Sequence, residues 1–189
     1  HSSQILNKKD MRLASNLFHV GIILLFFGHF FGMLTPPEIL HAIGVSASAK
    51  QVLAVVAGTI FGVMCFVGLT MLVKRRLTDP RVRATSTRMD IFILLLLYVQ
   101  LILGLLTVPL SLMHMDGGNM LLLMQWARNV VTFDPAEAVA AITPIGFLFK
   151  LHMVLGMTVF LVFPFSRLVH IWSAPVTYPV RPYQVVRQR

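Results

Sequence analysis

Cysteine is nearly absent from this chain. The single Cys65 lies inside an apolar run, which excludes an internal disulfide, a covalent C-x-x-C-H haem attachment and a cysteine-ligated cluster. It reads as a small buried apolar residue. Acidic residues are scarce too, with seven Asp and Glu against sixteen Lys and Arg. Only 12% of the 189 residues are charged while 57% are hydrophobic, and mean hydropathy is +0.80. That balance excludes an ordinary soluble domain and a disordered chain. No repeat or low-complexity segment is visible. The chain starts at His1 with a polar opening and no signal peptide, and it is expected to be a fragment or processed product.

Long apolar runs are what the chain has. Four are long enough to cross a hydrocarbon core of about 30 Å, which takes about 20 helical residues. They lie near 13–34, 51–73, 91–112 and 145–172. The fourth exceeds the minimum and contains Pro164, so tilt or a kink is expected. Continuous rather than alternating apolarity favours helices over a membrane barrel. The expected architecture is one all-α membrane domain over 1–189, an antiparallel bundle of transmembrane helices.

The basic residues orient it. Lys8, Lys9 and Arg12 precede the first span. Six more lie in 74–90, and Arg167, Arg181, Arg187 and Arg189 lie late in or after the fourth. Four crossings place these thirteen on one face and leave Lys50, Arg128 and Lys150 on the other. The positive-inside rule makes the first face cytoplasmic, including both ends of the chain. This topology already accounts for the net charge of +9, so no nucleic-acid partner is expected; the expected surroundings are membrane lipid. Between the third and fourth spans, 120–131 is too short to cross. Gln125, Arg128, Asn129 and Thr132 share one helical face there, and Trp126 suits an outer membrane surface. Asp134-Pro135 is expected to end that helix.

Four histidines sit inside spans. His19 and His29 are ten residues apart in the first, and His152 and His170 eighteen apart in the fourth. Ionisable side chains at membrane depth are costly and usually functional. In antiparallel helices, depth pairs His29 with His152 toward the outside and His19 with His170 toward the inside. Ten helical residues rise about 15 Å and eighteen about 27 Å, and the unequal rises call for tilt or for the Pro164 kink. Eighteen residues are five full turns, so a straight helix puts His152 and His170 on one face. Two pairs of neutral imidazoles are the ligand set of two bis-histidine b haems. Histidines that merely hydrogen-bond across the bundle are the alternative. Zinc fits less well, because the pairs are too far apart to share one tetrahedral site.

Three other positions near these histidines stand out. Gly28 and Gly32 flank His29. Small residues there let a flat macrocycle or a quinone approach the backbone, or let helices pack; spacing alone favours packing. Lys50 opens the second span. It is either an interfacial snorkelling lysine or a hydrogen-bond donor to a polar head group near His29. His1, His41 and His114 fall at the terminus and in loops, where solvation is expected.

These strings resemble the gamma subunit of respiratory nitrate reductase. A14-S-N-L-F-H-V-G, G28-H-F-F-G-M-L-T-P36, K74-R-R-L, P80-R-V-R-A-T, H114-M-D-G, V130-V-T-F133, H152-M-V-L-G-M-T and F163-P-F-S-R-L-V-H-I-W172 carry the resemblance over nearly the whole chain. It implies a subunit of the bacterial inner membrane with a cytoplasmic C-terminus and two b haems. The ligands it implies are His19, His29, His152 and His170, in the same pairs. It implies menaquinol or ubiquinol as substrate, with Lys50, Gly28 and Gly32 near the outer haem. It also implies an iron–sulfur beta subunit and a molybdenum-containing alpha subunit that reduces nitrate in anaerobic respiration. The family has five membrane helices, so a further first helix is expected beyond the four here. Two other readings stay open on the histidines alone: a dihaem anchor of another respiratory oxidoreductase, and a haem-free membrane anchor.

Overall fold

The computed structural model describes residues 8–172, and every regular element among them is helical. The helices are α1 (Lys8–Leu34), α2 (Pro37–Ala42), α3 (Ala47–Thr78), α4 (Pro80–Ala84), α5 (Arg88–Leu112), α6 (Gly118–Val131), α7 (Pro135–Ile142) and α8 (Phe147–Val162). Two 3-10 segments, Phe163–Phe165 and Arg167–Ile171, follow α8. Four stretches are long and apolar enough to cross a membrane: Met11–Leu34, Ala47–Thr78, Arg88–Leu112 and Phe147–Phe165. Large apolar side chains such as Phe31, Leu53, Phe160 and Leu161 point outward from them, a surface suited to hydrocarbon rather than water.

Local chemistry sets the helix ends. Ser46 caps α3 by accepting from the Ala49 amide at 3.1 Å. Thr87 and Asp90 form a reciprocal capping box on α5, with Asp90 N–H donating to Thr87 Oγ1 at 3.2 Å and Thr87 N–H to Asp90 Oδ2 at 2.9 Å. Asp79 ends α3 and caps α4, accepting from the Arg81 amide at 3.0 Å. The basic connection expected over 74–90 is therefore mostly helical.

Packing runs α1 on α3, α3 on α5 and α5 on α8. Cys65, Leu69 and Leu101 are buried at its centre, against Phe18, Ile22, Leu25 and Leu105. Two glycines let α1 and α3 cross closely. A Cβ on Gly68 would stand 2.5 Å from the Phe18 amide nitrogen, and one on Gly21 2.7 Å from Cys65 Cβ. At the other end, Gln51 Nε2 donates to the carbonyls of Ser111 at 2.8 Å and His114 at 2.6 Å, tying α3 to the end of α5.

The fourth span departs from the expected 145–172 helix. The α-helix stops at Val162, and Ser166 is extended at φ −121° and ψ 172°. Pro164 has no N–H to continue the ladder, and its ring crowds the preceding turn. Ser166 then caps the last segment, accepting from the Leu168 amide at 3.2 Å. The straight-helix argument that gave His152 and His170 one face does not hold, and the 27 Å rise does not apply. What fixes the segment after the break is an ion pair: Arg167 Nε lies 2.5 Å from Oδ1 of the buried Asp90 on α5.

The expected surface helix is α6, and Asp134-Pro135 does end it, with Asp134 capping α7 through the Glu137 amide at 3.2 Å. The polar face of α6 meets α2. Gln125, Arg128 and Asn129 line a shallow cavity with Pro37 and His41, and Arg128 stands 3.9 Å from Glu38. His41 and His114 are exposed. The expectations for His1, Arg181, Arg187 and Arg189 lie outside the described residues, as do those for the side chains of Lys8 and Lys9.

Candidate functional site

Helix α1 brings His19 and His29 to face the fourth span. The ring centres of His29 and His152 lie 6.3 Å apart, and those of His19 and His170 lie 6.2 Å apart. The structure thus brings together the two pairs that depth selects. His29 and His152 join α1 to α8, and His19 and His170 join α1 to the 3-10 segment Arg167–Ile171.

The spacing has a chemical meaning. A metal–imidazole nitrogen bond is about 2.0–2.1 Å and the ring centre lies about 1.1 Å beyond it, so two imidazoles opposed on one metal hold their centres about 6.3 Å apart. Both pairs match that value. Among the described residues no three or more His, Cys, Asp or Glu converge on one point, and each pair presents two imidazoles, fewer than a tetrahedral set needs.

Three of the four rings are already oriented by the backbone. His19 Nδ1 lies 2.7 Å from the Ser15 carbonyl, His29 Nδ1 2.7 Å from the Leu25 carbonyl, and His170 Nδ1 2.6 Å from the Arg167 carbonyl. An Nδ1–H donated to a carbonyl fixes the tautomer and leaves Nε2 as the free lone pair for iron. His152 differs: its Nδ1 is buried without a hydrogen-bond partner among the described residues. Its ring lies against α5, where a Cβ on Gly104 would stand 3.0 Å from His152 Cε1. The paired ring spacings, with the Nε2 atoms that His19, His29 and His170 leave free, fit two bis-histidine haems.

The remaining expected residues are placed as follows. A Cβ on Gly28 or Gly32 would meet nothing within 4 Å among the described residues. Neither glycine therefore makes the helix–helix contact that spacing favoured, and the α1 backbone beside His29 is open to a flat ligand. Lys50 is not a snorkelling lysine, because its side chain is buried and Nζ donates to the Met124 sulfur of α6 at 3.3 Å. A thioether is a weak acceptor for an ammonium group, and among the described residues Lys50 Nζ has no other hydrogen-bond partner.

Sequence reading missed Gln100, Gly104 and Gly156. Gln100 Nε2 stands 3.5 Å from His152 Nε2, and a Cβ on Gly156 would stand 3.0 Å from Gln100 Nε2. One signal was available: Gln100 is a lone carboxamide within an apolar span, and such residues seek partners across a bundle.

With this geometry described, similarity to known proteins can be set beside it. A family model described as the nitrate reductase gamma subunit matches residues 1–189. The chain is similar to the respiratory nitrate reductase 1 gamma chain of Escherichia coli K12, at 55% identity over all of this chain and 83% of that protein. It is 50% identical to the respiratory nitrate reductase 2 gamma chain of the same organism, over all of this chain and 82% of that one. Against the nitrate reductase gamma chain of Bacillus subtilis 168 it is 36% identical, over all of this chain and 83% of the relative. Matches over all of this chain at these identities, on a helical chain with four membrane-length spans, place it: the chain belongs to the nitrate reductase gamma-subunit family.

Proposed function

We propose that this chain is the quinol-oxidising, dihaem membrane subunit of a respiratory nitrate reductase. One observation carries the reading: two pairs of imidazoles in a gamma-subunit chain, each with its ring centres at the separation of two ligands on one iron. Two b haems, when bound, supply one-electron carriers at two depths in the membrane. His29 and His152 hold one, and His19 and His170 the other. Attachment is noncovalent, since the single Cys65 is buried in the helix core.

The chain's own residues do the rest. With both ends cytoplasmic, as the positive-inside rule implies, the His29–His152 pair is the outer one. Quinol binds beside it, where Gly28 and Gly32 leave the α1 backbone open. Lys50, at the outer start of α3, donates a hydrogen bond to a quinol oxygen from a buried ammonium group that has no hydrogen-bond partner but the Met124 sulfur among the described residues. Oxidation of quinol to quinone releases two electrons and two protons. The protons leave to the outer side. The electrons move inward, to an iron–sulfur beta subunit and then to the molybdenum centre of an alpha subunit that reduces nitrate. A bacterial inner membrane is the setting this requires. Reporter fusions near Arg83 and Asn119 check the orientation, the first reading cytoplasmic and the second periplasmic; the reverse result overturns it.

The decisive experiment is an anaerobic spectrum of the intact complex. Added quinol should bring up the absorption bands of reduced b haem, and nitrate should abolish them by reoxidation. A colourless complex, or haems that quinol does not reduce, overturns the proposal.

A further inference from the structure

A cavity of about 460 Å³ lies between α2 and α6, lined by Pro37, His41, Leu121, Gln125, Arg128 and Asn129. Its charges are balanced. Arg128 Nη1 stands 3.9 Å from Glu38 Oε2, beyond the reach of a hydrogen bond, so both ions keep their hydrogen-bonding capacity. A guanidinium offers five N–H donors, and a carboxylate accepts through both oxygens. Gln125 and Asn129 add carboxamides on the α6 face that carries Arg128. A ligand that satisfies this site offers an anion to Arg128 and, a few ångströms away, a cation with N–H bonds to Glu38.

The place of the cavity in the fold gives that ligand apolar chains. The positive-inside orientation puts α2 and α6 at the outer membrane surface. Only Thr35 and Pro36 separate α2 from the end of α1. The last turns of α1 expose Phe27, Phe30 and Phe31, and the rings of Phe27 and Phe31 stack with centres 5.9 Å apart. Leu121 in the cavity wall and Ile39 and Ile43 of α2 are exposed as well. A polar, charge-paired cavity at the rim of an apolar surface matches a molecule with a zwitterionic head and hydrocarbon tails.

We propose that this cavity binds the head group of a phosphatidylethanolamine lipid of the outer leaflet. Arg128 pairs with the phosphate, Glu38 with the primary ammonium group, and the acyl chains lie against the exposed phenylalanines of α1. The planar guanidinium fork suits phosphate oxygens. A purely anionic lipid sets its charge against Glu38 as well as Arg128. A choline lipid has no N–H bond to donate to Glu38. The proposal is independent of the haems and of the quinol site, and it rests on the outer placement of α2 and α6.

The test uses the intact complex, delipidated in detergent. It is titrated with short-chain phosphatidylethanolamine, phosphatidylcholine, phosphatidylglycerol and free phosphoethanolamine, and bound molecules are counted by native mass spectrometry. The native complex should prefer phosphatidylethanolamine to the other three. Arg128→Gln and Glu38→Gln should each weaken that binding by about 3- to 10-fold, a charged hydrogen bond discounted for exposure to water. Glu38→Gln should also narrow the preference for ethanolamine over choline, whereas Arg128→Gln should weaken both lipids and leave their ratio unchanged. Tighter binding of phosphatidylglycerol, no discrimination between ethanolamine and choline, or equal binding by the native complex and both variants overturns the proposal. Free phosphoethanolamine bound as tightly as the lipid would make the ligand a soluble one and overturn the lipid assignment. If a variant does not assemble, the ethanolamine-over-choline preference of the native complex still decides.

Discussion

Arg167 and Asp90 join the segment that carries His170 to the start of α5. Arg167 Nε stands 2.5 Å from Asp90 Oδ1, and Asp90 is also the capping residue that accepts the Thr87 amide at 2.9 Å. The fourth span is broken at Pro164, so helix continuity cannot hold His170 in place, and this ion pair takes that role. Arg167→Ala should therefore lower occupancy of the His19–His170 haem while sparing the other. The exposed guanidinium limits the cost to about 1–2 kcal/mol, roughly a factor of 5–30. Haem content and the reduced-minus-oxidised spectrum measure it. Selective loss of the His29–His152 haem would contradict this.

Lys50 makes a different prediction. Its Nζ has only the Met124 sulfur as a hydrogen-bond partner among the described residues, and no histidine depends on it. Lys50→Ala should keep both haems but slow their reduction by quinol. A charged hydrogen bond of about 1.5–3 kcal/mol corresponds to roughly a 10- to 150-fold effect. Stopped-flow reduction by quinol, with dithionite reduction as the control, reads it. A normal quinol rate would make Lys50 a structural residue of the α3–α6 contact.

The glycines separate packing from ligand access. Gly68→Ala forces a methyl group against the Phe18 amide and the Ala14 carbonyl, where backbone must move. Overpacking of that kind costs about 1–3 kcal/mol and should lower the thermal stability of the detergent-solubilised complex. Gly28→Ala meets open space and should leave stability unchanged while weakening whatever flat ligand approaches the backbone there. Thermal scans of the two variants should separate them; equal destabilisation would contradict the contrast.

The spans were legible because each is a continuous apolar run, and two expected helix ends, at 34 and 112, coincide with Leu34 and Leu112. Two helices begin before apolarity alone indicates, because Ser46 caps α3 and Thr87 caps α5 ahead of the apolar runs. Histidine pairing was legible because separation along a helix fixes depth. The break after Val162 was not, because a proline in a long apolar run also fits a kink, and the capping role of Ser166 emerges only once the helix has stopped. Gln100 was hidden for another reason. It meets His152 across 52 residues of chain, and this depends on how α5 lies against α8. Periodicity reports which face of a helix is apolar, but not which neighbour that face meets. The partner of Lys50, Met124, lies 74 residues away and was hidden in the same way.

The central claim is that two b haems are held between α1 and the fourth span by His29–His152 and His19–His170. Haem content and redox spectra of the four single His→Ala variants, each in the intact complex, test it most directly. His29→Ala and His152→Ala should lose the same haem, and His19→Ala and His170→Ala the other, each variant retaining one. Loss of the same single haem from the His19 and His152 variants, or a native complex with fewer than two b haems per chain, would contradict the account.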